Sequence, residues 1–386
     1  MIPLFYAVGA IAAAVILPRI ELRLFPGFES GWTVQSATAI YSSISSGMLA
    51  LTGVVFSLAF VMIQFSATAY SPRLVHWVAR DPFIWHAVGV FTATSLYATA
   101  ALAWVDRNSS ARVPFVSGLL VIGLLFASVG MFVGLIHRIG GVQIQAMLNF
   151  TGDHGRKVIG AIYPRLDSPA PVAESGEFRT LPITQTLIHR ARPQAIQSFN
   201  VAALVSLAKA ADGVIEMLAA VGDTVVDLTP LLQVFGALRP IDERALDNAI
   251  EVGEERTFDQ DPKYAIRLLV DIAIKALSPA VNDPSTAVQA LNQIEDLLVR
   301  LGRRRLEIGQ FRDSDSKVRL VVPYPTWDDF LRLAFDEIRY YGATSVQVMR
   351  RMKALVGDLI TRLPEERHAA LHYWEARLQT TVARSF

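Results

Sequence analysis

The sequence contains no cysteine. That absence excludes a disulfide framework, thiolate metal sites and a cysteine nucleophile, and says little about compartment. Charge is nearly missing from the first third of the chain. Ten charged side chains fall within residues 1–137, Arg138 lies just beyond, and 60 follow. The long apolar runs of that first part hold no Asp, Glu, Lys or Arg at all. A proton-coupled pump or transporter usually keeps an ionisable residue within the bilayer, so that class loses support. After Arg138 the balance is 29 Lys and Arg against 31 Asp and Glu. With no basic excess, nucleic acid is not an expected partner. P-loop, dinucleotide and metalloprotease motifs are also missing. His189, His368 and His372 are isolated or spaced i, i+4, and no nucleophile–base–orienter set is visible. The expectation is therefore no enzyme, no cofactor and no metal.

What is present is hydrocarbon-compatible length. A span needs about 20 mostly apolar residues to cross roughly 30 Å. Gly47–Phe65, Phe83–Trp104 and Phe115–Ile136 meet that requirement without a charge. Met1–Leu17 is uncharged but shorter; it lacks the basic start of a signal peptide, so it counts as the first of four spans. Both termini then share a side. The short-segment arginine and lysine counts are five against four, a tie on the positive-inside rule. The expectation adopted is a bacterial inner-membrane, multi-pass protein with its C-terminal region in the cytoplasm, as is usual for chains with large trailing domains.

The second span carries Ser46, Gly53, Ser57 and Gln64 near one helical face. Small and hydroxylated residues let helices approach and exchange hydrogen bonds in lipid. The stripe fits either a pore-lining face or a tight helix interface. Phe60, one turn before Gln64 and close to the same face, is a candidate constriction. The fourth span has Gly123, Ala127, Gly130 and Gly134 at spacings of four, three and four, a helix-packing surface within or between subunits.

The organisation predicted is a membrane protein of four transmembrane α-helices followed by an α+β soluble region. Its parts are the four-span domain (1–137), a membrane-proximal helix and linker (138–178), a small β-rich module (179–238) and a mainly helical C-terminal domain (239–386). In the β module, "TQTLIHRARPQAIQSF" alternates as two strands about Arg192-Pro193, and "GVIEMLAAVGDTVVDLTPLLQVFG" reads as three more. "IDERALDNAIEVGEE" reads as a short helix. The tail offers a strand, "SKVRLVVPY", then three helices, with Arg350, Arg351 and Lys353 as a solvated face that could meet anionic lipid.

The densest stretch is "RTFDQDPKYAIRLLVDIAIKALSPAVNDPSTAVQAL", residues 256–291. Asp261-Pro262 and Asp283-Pro284 each place an N-cap before a proline at the first helical position. Asp271 stands i, i+4 from both Arg267 and Lys275. Helix capping around a buried polar turn explains the pattern. A ligand site is the alternative: two helix N-termini near Asn282 suit a small anion. Acids including Asp259, Asp261 and Asp283 suit a divalent ion. Arg256 completes the set of candidates.

Taken together, "LTGVVFSLAF" in the second span, "SPRL" after it, "IHRIGGVQIQ" after the fourth and "RTFDQDPKYAIRLLVDIAIKALSPAVNDPSTA" resemble a domain-of-unknown-function family of bacterial predicted integral membrane proteins. The likeness runs from about residue 36 to 355. It implies four spans, a C-terminal soluble region and no established activity. Two departures stand out. The family often has paired His where this chain has His137-Arg138, and its usual hairpin differs from Val221-Gly222-Asp223 and Leu228-Thr229-Pro230-Leu231.

Two functions remain open. One is a homo-oligomeric, ion channel-like protein with a soluble regulatory domain, with the bilayer, other copies and an ion or small anion as partners. The other is a membrane-anchored sensor or scaffold without transport.

Overall fold

A computed structural model describes residues 2–24, 31–69, 82–107, 113–140, 144–167 and 177–385. The chain divides into two compact units, Met1–Gln143 and Ile144–Phe386.

The first unit is helical: α1 (Ile2–Leu24), α2 (Val34–Ala69), α3 (Pro82–Arg107) and α4 (Phe115–Gly140). All four are long and apolar enough to cross a membrane. Helix α2 begins well before the span expected at Gly47, because Thr33 caps it by accepting from the Ser36 N–H at 3.2 Å. At 36 residues it is about 54 Å long. Helix α3 is central and packs against α1, α2 and α4. Its buried face holds Ala87, Phe91, Tyr97 and Ala98, a mix of small and aromatic residues.

Hydroxyls join these helices where backbones approach. Ser45 on α2 shares a 2.6 Å hydrogen bond with Thr99 on α3, and Ser95 donates to the Ser45 carbonyl at 3.1 Å. Thr94 and Ser128 do the same between α3 and α4 at 2.9 Å. Glu21, near the end of α1, accepts from the backbone N–H groups of Phe115 and Val116 at 2.6 and 3.0 Å. A carboxylate there satisfies two orphan donors of α4 and complements the helix dipole. The "SPRL" stretch after the second span lies outside the described residues.

The second unit opens with α5 (Ile144–Ile162). Two sheets follow. One has five strands in the order β1 (Ile183–Ile188), β5 (Pro230–Phe235), β3 (Val214–Met217), β8 (Val318–Val321), β7 (Gln310–Arg312). The other has three, β4 (Thr224–Val225), β2 (Gln194–Phe199), β6 (Ile250–Gly253). All pairs are antiparallel except β3 with β8. Helix α6 (Val201–Ala211), capped by Asn200 and ended by Asp212 at φ 51°, contributes Leu204 and Ala208 to the sheet core.

Two sequence expectations need correction, and a third gains its pairing. Strands β1 and β2 flank the Arg192-Pro193 turn as expected; they join different sheets, since alternation identifies a strand without naming its partner. "IDERALDNAIEVGEE" is not one helix: α7 (Glu243–Asp247) stops at Asn248, and β6 then pairs with β2, burying Ile250. The sheets therefore extend past residue 238, drawing β6 and β7, as well as the strand expected in "SKVRLVVPY" (β8), from the region read as mainly helical. Two glutamine amides stitch this together as backbone substitutes. Gln260 bonds both the N–H and the carbonyl of Phe199, and Gln185 does so for Ile241.

The helical part comprises α8 (Pro262–Ala276), α9 (Pro284–Gly302), α10 (Trp327–Tyr341), α11 (Val346–Arg362) and α12 (His368–Ser385). Helix α10 starts with a full capping box between Thr326 and Asp329. Helix α8 is buried on most sides, from Tyr264 to Ala276. Arg351 does not belong to a solvated face: it bonds Asn292 and Glu295 on α9.

Candidate functional site

The polar stripe of α2 lies on the outside of the four-helix unit. Ser46, Gly53, Ser57 and Phe60 are exposed, Phe60 by 64%, and nothing comes within 4 Å of a Cβ placed on Gly53. The side chain of Gln64 lies outside the described residues. At about 100° per residue, these positions stand opposite the buried set Ala37, Tyr41, Met48 and Val55. Among the described residues, these four positions pack against no other span of the chain. The polar contact to α3 is made instead by Ser45, which the stripe omitted. Ser45 has the same side chain as Ser46, and one step of helix phase separates inside from outside.

On α4, Gly123, Ala127 and Gly130 also face outward, and a Cβ on Gly123 or Gly130 would meet nothing within 4 Å. Gly134 differs. A Cβ there would come within 2.6 Å of the Phe83 ring tip, so the absence of a side chain admits that ring from α3.

The motif from Arg256 to Leu291 builds a buried polar cluster at the start of α8. Asp261 is only 1% exposed. Its Oδ1 accepts from the Lys263 N–H at 3.1 Å, the N-cap bond, and its Oδ2 accepts from Arg256 Nε at 2.7 Å. The Arg256 guanidinium also lies 5.2 Å over the Tyr264 ring. Burial pushes the Asp261 carboxyl above its ordinary value, and the Arg256 charge works against that shift. Around the pair, the Tyr163 hydroxyl and Thr257 Oγ1 are buried without a hydrogen-bond partner among the described residues. Burial raises the Tyr163 phenol as well, with Asp261 adding repulsion. Phe258 continues the cluster, 4.9 Å from both the His154 and the Tyr264 rings.

The other motif residues lie elsewhere. Asp283 caps α9, accepting from the Thr286 N–H at 3.2 Å and its hydroxyl at 2.6 Å. Those bonds hold its carboxyl below the usual range. Asn282 precedes it in the left-handed region at φ 49°. Asp271 pairs with Arg267, which also reaches Glu337 on α10 at 2.9 Å. Asp259 is exposed. Helix α8 runs for 15 residues between the two caps, which sets them about 22 Å apart. The two helix N-termini are therefore not brought together into one anion or cation site. What the first cap does gain is Gly222 of the β3–β4 turn, a turn legible in the sequence whose contact with Asp261 is not.

The comparisons agree with this layout. The profile of a predicted membrane protein family, DUF2254, matches residues 1–358. An uncharacterised protein of Mycobacterium bovis and one of Mycobacterium tuberculosis are each 25% identical over 371 residues, covering 92% of this chain and 70% of theirs. No solved structure matches. Four membrane-length helices, a mixed soluble unit and a match over nearly the whole length place the chain in the DUF2254 family of predicted membrane proteins.

Proposed function

We propose that this protein works as a homo-oligomeric, channel-like assembly of the bacterial inner membrane, with its soluble region in the cytoplasm as a regulatory part. The observation that carries the reading is the outward α2 stripe. Hydroxyls and a bare glycine on the lipid side of a lone bundle gain little, whereas the same groups facing other copies around an axis could line a wet path. The reading assigns no catalysis; the Arg256–Asp261 cluster serves as structural support for α8. A second reading, a membrane-anchored sensor or scaffold, draws on Leu49, Phe56 and Phe60, large apolar side chains on the same exposed face that suit acyl chains.

Since the native chain has no cysteine, single substitutions test both the assembly and the orientation. Ser57→Cys is expected to form a disulfide-linked dimer when native membranes are oxidised. A wholly monomeric product, with a Phe126→Cys control equally monomeric, would reject an α2-centred oligomer. Ser316→Cys is expected to resist an impermeant maleimide on intact cells and to react after lysis. Labelling before lysis would reverse the orientation.

A further inference from the structure

One end of the soluble unit is built differently from the rest. Helices α5 and α9 run parallel: Asn149 bonds Gln293, Arg156 bonds Asp296, and Arg304 bonds the Tyr163 carbonyl. Helix α11 runs the same way, with Arg351 at Asn292 and Arg303 at the Arg362 carbonyl. The start of α5, the α8–α9 turn and the α10–α11 turn therefore share one end. Contact confirms this for the two turns, since a Cβ on Gly342 would lie 3.4 Å from Leu277 Cδ1.

That end is apolar and aromatic. Val281 is exposed in one turn; Tyr340, 72% exposed, Tyr341 and Val346 are exposed at the other. It is also free of acids. Residues 272–282 and 338–350 contain Lys275, Arg339 and Arg350 and no carboxylate, and residues 144–152 carry no charge. Asp283, at the border, spends its oxygens on Thr286. At the opposite end of α8, by contrast, Glu254, Glu255 and Asp259 stand together in sequence.

The start of α5, at this end, follows the fourth span closely in the chain. The apolar stretch of the fourth span ends at His137 and α4 at Gly140, and α5 begins at Ile144. Four peptide steps reach at most about 14 Å. Arg156 sits twelve residues past the start of α5 and its partner Asp296 twelve past the start of α9, so the two helices begin at about the same level. The α8–α9 turn therefore lies at the same end of the unit as the start of α5.

We propose that this end of the soluble unit docks on the bilayer interface. Tyr340 and Tyr341 would seat their rings among headgroups, Val281 and Val346 would reach the acyl boundary, and Lys275 and Arg350 would bind anionic phospholipid. Tyrosine suits that boundary because one end of its side chain is apolar and the other wet. Basic residues near an anionic leaflet add roughly 1 kcal/mol each. The inference does not depend on the channel reading; it requires only that the spans be in the membrane.

The test uses the full-length protein in liposomes of phosphatidylcholine with phosphatidylglycerol. A polarity-sensitive dye is placed on Val281→Cys or Tyr341→Cys, with Ser314→Cys in the β7–β8 turn as control. Lipids with a nitroxide at the headgroup are expected to quench the first two labels several-fold more than the control. Lys275→Gln with Arg350→Gln should weaken that quenching in the anionic liposomes and leave it unchanged in phosphatidylcholine alone. Equal quenching at all three sites would overturn the proposal. So would pyrene excimers from Tyr341→Cys in detergent without lipid, which would assign the surface to a second copy of the chain.

Discussion

Gly222, at a φ of 89°, lies against Asp261 so closely that a Cβ on it would overlap Oδ2 and come within 2.8 Å of Arg256 Nη2. A turn of the β module thereby closes the buried ion pair that starts α8. Gly222→Ala meets both a disfavoured backbone region and a steric clash, and should destabilise the fold by more than the roughly 1 kcal/mol typical of positive φ alone. Arg256→Met strands a buried carboxylate and should cost roughly 3 kcal/mol. Adding Asp261→Asn should recover part of that loss. Thermal unfolding in detergent checks the set; full additivity of the two changes would show that the pair is not coupled.

Asp283 gives a contrasting case. Its carboxylate only caps, so Asp283→Ala should cost about 1 kcal/mol and Asp283→Asn nearly nothing, because both residues cap well. A large loss for Asn, equal to that for Ala in the same unfolding assay, would show that the charge itself is needed.

Acid stability should depend on Asp313. The Arg319 guanidinium, with the backbone N–H groups of Lys317 and Asp315, holds this carboxyl down at about 2. A folded value below the unfolded one, about 3.9, contributes stability that is present above the unfolded value and lost as pH falls through about 2. Melting temperature should therefore drop across that window, and Asp313→Asn should flatten the drop. An unchanged slope in the variant would remove Asp313 from the account.

Conduction is the most exposed prediction. Hydrophobic constrictions gate by dewetting, and a polar replacement favours the wet state. Phe60→Ser should raise ion leak in reconstituted liposomes, and Gln64→Leu should lower it. Planar-bilayer recordings silent for wild type and Phe60→Ser, under tension and voltage, would leave the anchored sensor as the surviving reading.

Most elements were legible in the sequence, though β6 and β7 were not. Apolar runs of span length fixed the four membrane helices, and Asp261-Pro262, Asp283-Pro284 and Thr326 marked three helix starts that the structure reproduces within a residue. Those signals are local: a cap or an apolar run acts on its nearest neighbours. The tertiary structure decided what each face touches. It sent β1 and β2 to different sheets, turned Ser45 inward and Ser46 outward, and set the two Asp-Pro caps at opposite ends of α8. It also brought Gly222 onto Asp261 and gathered Val281, Tyr340 and Tyr341 at one acid-free end. Such pairings join residues far apart in the chain, and their energies come from contacts that exist only once the elements have packed.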